Sequence, residues 1–174
     1  SELSHSNFIA NLLNVKGKHG QKDVFLKLFL EEISKYFHDN ESVQRLTLDL
    51  FETDLSSAET EKHIGKVNCE NAEGGFIDIL INDGKSNIII ENKIWAGDQP
   101  KQLLRYNKQD TNAPIIYLTL NGSLPSLDSK GHLILYKDFI CVSYAENIKR
   151  WLEQCIKEMV NKPLIRETLN QYLN

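Results

Sequence analysis

Glu91 and Lys93 stand two residues apart in Ile88-Ile89-Ile90-Glu91-Asn92-Lys93, and Asp78 lies inside Gly75-Phe76-Ile77-Asp78-Ile79-Leu80-Ile81. Residues i and i+2 of a strand point to the same face. Glu91 and Lys93 therefore project together from an otherwise apolar segment. Charges inside such a run are costly unless they are paired or bound to a metal. Two carboxylates beside an ammonium suit a hard divalent cation, with a proton acceptor or charge stabiliser next to it.

The register of the two runs sharpens this. Asp83-Gly84-Lys85-Ser86 reads as a hairpin turn between β-branched segments. With Gly84-Lys85 as a two-residue loop, Asp83 pairs with Ser86 and Asp78 falls opposite Glu91. Directly opposed like charges destabilise an antiparallel pair. A Mg²⁺ ion between them reverses the sign, since it takes oxygen ligands at roughly 2.0–2.1 Å. A turn at Asp83-Gly84 instead makes the carboxylates diagonal on one face, and a three-residue loop needs a bulge to bring them together. The sequence leaves these registers open.

The elements that must position these residues read α-α-β-β-β-β-α-β-β-β-α-α. Phe8, Ile9, Leu12 and Leu13 mark a first helix, ending near Gly17. Phe25 to Phe37 repeats with helical period. Strands are predicted at 43–52, 64–71, 75–82 and 86–94. Asp98 to Lys108 reads as a helix, with Asp98 as N-cap and Pro100 in the first turn. Strands follow at 115–120, 132–137 and 139–143. Ile148 to Met159 is an amphipathic helix, and another begins after Pro163. That last pattern is still running at Asn174, which reads as a C-terminal truncation of something longer.

Composition sets bounds. A chain of 174 residues with 41% hydrophobic and 25% charged content is expected to be one globular domain, residues 1–174. No run approaches the ~20 apolar residues of a membrane span. Cys69, Cys141 and Cys155 are far apart and odd in number, which argues for a reducing cytoplasm and against zinc or a disulfide scaffold. Net charge is −4, so nucleic acid is not announced by the total. Locally, Lys85, Lys93, Lys101, Arg105 and Lys108 outnumber Glu91 and Asp98, and Lys16, Lys18, His19 and Lys22 cluster without an acid. The plain alternative is an ordinary solvated face.

Asp78 followed by Glu91-Asn92-Lys93 resembles the PD-(D/E)XK nuclease superfamily. The stretch Glu91-Asn92-Lys93-Ile94-Trp95-Ala96-Gly97-Asp98-Gln99, with Gln102-Leu103-Leu104-Arg105-Tyr106 after it, resembles an uncharacterised bacterial branch that carries an exonuclease-like QxxxY element. Glu2-Leu3-Ser4-His5-Ser6 and His19-Gly20 resemble the same branch. Ile77 stands where the superfamily name has proline. The resemblance implies an α/β, restriction-endonuclease-like fold: a central mixed sheet with helices on both faces, an αβββαβ core, and extra N- and C-terminal helices. It implies an Mg²⁺- or Mn²⁺-dependent nuclease, expected to act on DNA in defence or repair, with DNA versus RNA, endo versus exo action and oligomeric state (a dimer among the options) left open; composition adds a cytoplasmic place and no membrane.

Under that resemblance Asp78, Glu91, Lys93, Gln102 and Tyr106 are catalytic. Asp78, Glu91 and the Asn92 backbone carbonyl hold the metal, with Glu2 as a further acid and Glu32 as second choice. Lys101, Arg105, Lys108, Lys85 and His19 contact nucleic acid. Gln102 and Tyr106 lie four apart on one helix face, expected to reach a phosphate beside the scissile one. Plainer readings stand next to these: a Glu91–Lys93 salt bridge, a surface pair at Gln102 and Tyr106, a frayed terminus at Glu2, and structural roles for His5 and His19. The competing function is a catalytically silent nucleic-acid-binding or regulatory module of the same fold.

Overall fold

The computed structural model describes residues 1–174. Five strands form one sheet in the order β1-β2-β3-β4-β5: Ser57–His63, Phe76–Asn82, Asn87–Lys93, Ile115–Thr119 and Phe139–Ser143. The first three are an antiparallel meander, and β4 and β5 add in parallel. Helices α1 (Glu2–Leu13), α2 (Val24–Ser34), α6 (Lys149–Glu158) and α7 (Pro163–Leu173) cover one face. Helix α4 (Gln102–Gln109), followed in the chain by the short α5 (Leu127–Lys130), covers the other. Helix α3 (Val43–Leu50) joins α2 to the edge strand β1. No helix is long and apolar enough to cross a membrane.

Side-chain alternation along the central strands builds two cores. Ile88 and Ile90 of β3, Ile116 and Leu118 of β4, and Ile140 and Val142 of β5 pack under α1, α2 and α6. Ile89, Ile115, Tyr117 and Phe139 pack under Leu103 and Tyr106 of α4. Such strands, apolar on both faces, are what a buried parallel arrangement requires.

Several expectations are corrected. Residues 43–52 are mainly helix α3, not strand. Leu46, Leu48 and Leu50 mimic strand alternation, but Leu46 and Leu50 are exposed and only Gln44 and Leu48 are buried. Ser42 caps this helix by accepting from the Arg45 amide at 3.1 Å. Residues 64–71 are turn and loop, and the strand before the hairpin is Ser57–His63. Its mostly polar sequence suits an exposed sheet edge, which is why no apolar run betrays it. Residues 132–137 make only one bridge, Leu135 to Phe139. The helix expected from Asp98 begins at Gln102. Asp98 does not cap it and instead accepts from the Tyr117 hydroxyl at 2.7 Å and the Ser126 amide at 2.6 Å.

Candidate active site

The hairpin folds in the two-residue register. Asp83 N donates to Ser86 O, and Asn82 pairs with Asn87, Ile81 with Ile88, Leu80 with Ile89 and Ile79 with Ile90. One further step would place Asp78 against Glu91, and there both ladders of β2 break. The β1–β2 pairing skips Glu61 and Asp78, and Glu61 has φ +51°. The Asn92 amide donates to Asp78 Oδ2 at 2.7 Å, a side chain standing where a ladder carbonyl would be expected. Ile77 packs on the α4 side and Ile79 on the α1 side, although they are two residues apart. The alternation of β2 is therefore broken around Asp78, the kind of local distortion that re-aims a side chain at a site.

Glu91 is buried at 1% exposure and held from several sides. Its Oε1 accepts from Gln102 Nε2 at 2.7 Å and pairs with Lys93 Nζ at 3.1 Å. Its Oε2 meets the Tyr106 hydroxyl at 2.8 Å. Gln102 Nε2 also donates to the Tyr106 oxygen at 3.0 Å. Gln102 and Tyr106 share a face as expected, but that face is buried and aimed at Glu91. Both hold the Glu91 carboxylate.

Glu2 enters from the first turn of α1. Its Oε1 accepts from three successive amides, Ile94 at 2.8 Å, Trp95 at 2.6 Å and Ala96 at 2.9 Å. The frayed-terminus reading of Glu2 does not describe this geometry. Asn92, whose side chain carried no expected role, is a second tie. It donates to Ser6 Oγ at 3.0 Å and accepts from the Tyr144 hydroxyl at 2.9 Å. Ser6 lies four residues after Glu2 on the same helix face, a spacing that could have singled it out.

The charges explain the titration behaviour. Burial and then the nearby Asp78 push Glu91 up from the ordinary 4.5 to about 8, against the pull of Lys93. Burial also raises Asp78, with Glu2 adding to it and the Asn92 amide and Lys93 opposing. Burial would raise Glu2, but the three amides and Lys93 outweigh it and hold that carboxyl below its usual value.

The remaining expected contacts lie elsewhere. Arg105 is buried at 1% exposure, so it cannot line a surface for nucleic acid. Its guanidinium donates to Gly74 O at 2.6 Å, Pro100 O at 3.0 Å and Gln99 Oε1 at 3.2 Å. Gly75, at φ +115°, lies against it where a Cβ would clash. Lys108 pairs with Glu73 at 2.9 Å. Lys85 pairs with Glu52 at 3.4 Å, in the turn about 20 Å along β3 from Glu91. Both ring nitrogens of His19 are engaged, with Asn14 O and the Gln21 amide, closing the turn between α1 and α2. Glu32 pairs with Arg150 and Lys35 on the α2–α6 side. Lys101 stands at the N-cap position of α4 with φ +50°, its amide donating to Asp128 Oδ2 at 3.1 Å.

A family model described as the PD-(D/E)XK nuclease superfamily matches residues 1–174. The chain belongs to the PD-(D/E)XK nuclease superfamily. Neither a search of curated proteins nor one of solved structures finds a match. The mixed five-stranded sheet between helices is the restriction-endonuclease-like α/β fold. Nucleases of this superfamily usually hydrolyse nucleic acids and generally use divalent metal ions.

The donors in this PD-(D/E)XK chain fit such an ion by their chemistry. Asp78 and Glu91 are hard oxygen ligands, both raised by burial, and Asp78 pushes Glu91 up further, which is the condition a divalent cation relieves. No cluster of three His, Cys, Asp or Glu stands ready to hold a metal, consistent with Glu2 being turned onto backbone amides.

Proposed function

We propose that this protein is a metal-dependent deoxyribonuclease that hydrolyses phosphodiester bonds at the Asp78/Glu91/Lys93 cluster, in defence or repair. The carrying observation is the coincidence of three features at one point. The β2–β3 register leads Asp78 to Glu91, the ladder breaks there, and Lys93 stands 3.1 Å from Glu91. Asp78, Glu91 and the Asn92 carbonyl would hold Mg²⁺ or Mn²⁺, which supplies positive charge at the phosphate and lowers the pKa of a water. Lys93, whose side chain is itself only 8% exposed, orients the attacking water, accepts or shares its proton and offsets charge building on the phosphate. Gln102 and Tyr106 keep Glu91 in one rotamer, so the site is organised before substrate arrives.

The test is incubation with linear, circular and single-stranded DNA in Mg²⁺, Mn²⁺ or EDTA. Cleavage in metal, none in EDTA and none by Asp78→Ala is the expected result, and opened circles identify endonuclease action. Metal-independent cleavage, or an Asp78→Ala protein as active as the parent, overturns the assignment. DNA binding without any cleavage would return the silent binding module.

A further inference from the structure

The chain has two tryptophans with opposite fates. Trp151 is 1% exposed and donates its indole N–H to Phe25 O at 2.9 Å inside the core. Trp95 is 68% exposed and follows Lys93 by two residues. Single exposed apolar side chains are ordinary on a surface, so exposure alone says little. Place and rigidity say more. The backbone under Trp95 is pinned: its own amide and those of Ile94 and Ala96 all donate to Glu2 Oε1. The indole ring has the His5 ring 6.1 Å from it, tilted by 55°, as its aromatic neighbour. His5 in turn touches Tyr144 and Tyr172 at 5.8 and 5.7 Å, and these three rings line a mostly apolar cleft of about 480 Å³. A large ring is thus held out on a fixed support beside the carboxylates, at the edge of an aromatic surface.

We propose that Trp95 is a stacking platform for an unpaired nucleobase adjoining the scissile phosphate, so that the substrates are single strands or frayed duplex ends. This rests on the nuclease reading above. Cα atoms two residues apart are separated by at most about 7 Å, so a base next to a phosphate at Lys93 comes within reach of the indole. Aromatic rings bind bases through the π-face that every base carries, which makes the contact indifferent to sequence. In an intact duplex both faces of a base are covered by its neighbours. Only an unstacked base offers a face to Trp95, and this selects the substrate class. The chain's net charge of −4 points the same way, because charge attraction alone gives it little hold on a polyanion.

The two fates of tryptophan supply the measurement. Emission of the metal-free protein is followed while a single-stranded oligodeoxynucleotide or a covalently closed duplex circle is added. Trp151, buried, gives a constant background. Quenching by the single strand, weak quenching by the circle, and loss of the signal in Trp95→Phe are expected. Trp95→Ala should bind the single strand roughly 5- to 150-fold more weakly, the value of one base–aromatic stack, with Trp95→Phe in between. Equal affinity of parent and Trp95→Ala for the single strand, or equal quenching by strand and circle, overturns the proposal. Cleavage in Mg²⁺ is scored on the same samples. Cleavage without quenching sinks the platform and leaves the nuclease standing; quenching without cleavage does the reverse.

Discussion

Tyr106 has one hydroxyl hydrogen and two oxygens in reach, Phe76 O at 2.6 Å and Glu91 Oε2 at 2.8 Å. It can donate to only one of them. Burial raises the Glu91 carboxyl, so it can take up a proton and donate to Tyr106, leaving the hydroxyl free for Phe76 O. The same latitude predicts what removal of Lys93 does. Lys93→Ala breaks a buried pair, which ordinarily leaves a stranded charge. Here Glu91 can be neutralised by a proton, so the variant should keep its far-UV circular dichroism and cooperative melt. Hydrolysis should fall by roughly 10²–10⁴-fold, the usual worth of a positioned proton acceptor or charge stabiliser. Unfolding of the variant would mean that the salt bridge is structural. At this scale much of the site was legible. Asp78, Glu91, Lys93, Gln102 and Tyr106 do converge, because strand and helix periodicities fix relative placement. What spacing cannot give is direction relative to the core. Arg105 and Gln102 read as outward-facing polar residues, and both are buried.

The β2–β3 turn is set by one carboxylate. Asp83 Oδ1 accepts from the Lys85 and Ser86 amides at 2.9 and 2.7 Å, and Oδ2 from the Glu52 amide at 2.9 Å. It therefore ties the turn to the segment leading into β1 and fixes the register that brings Asp78 to Glu91. Burial would raise its pKa, but the three amides prevail and hold it below the ordinary 3.8. A carboxyl with a depressed folded-state pKa stabilises above its unfolded value and loses that contribution as pH falls through the folded one. Asp83→Ala should cost about 1–3 kcal/mol at pH 7, the penalty for stranded buried donors. The gap between parent and variant in urea midpoints should close as the pH drops below 3.8. A gap independent of pH would mean that the charge is not what holds the turn. Elements with a strong period, such as α2, β3 and β4, were readable from sequence. Edge strand β1 and helix α3 were not, because a polar edge has no apolar pattern and two exposed leucines on α3 mimic one.

At the scale of the whole molecule, the site closes over parts distant in the chain. Glu2 from the first turn, Asp78 and Glu91 from the hairpin, and Tyr144 through Asn92 tie α1, the sheet and the segment before α6 into one body. The cost of this arrangement is two acids that burial raises at the centre, with Asp78 pushing Glu91 up further. A ligand that binds only the folded state stabilises it by mass action, about 2.7 kcal/mol at one hundred times its dissociation constant. Because the carboxylates converge only when hairpin and helices are assembled, Mn²⁺ should bind the folded chain and not the unfolded one. Its addition to EDTA-stripped protein should raise the melting temperature by several degrees, rising with the logarithm of concentration once the site is saturated. Asp78→Ala should lose that rise. If Asp78→Ala responds to Mn²⁺ as the parent does, the ion sits elsewhere. Asp78, Glu91 and the break in the β2 ladder between them would then need a structural explanation instead of a catalytic one.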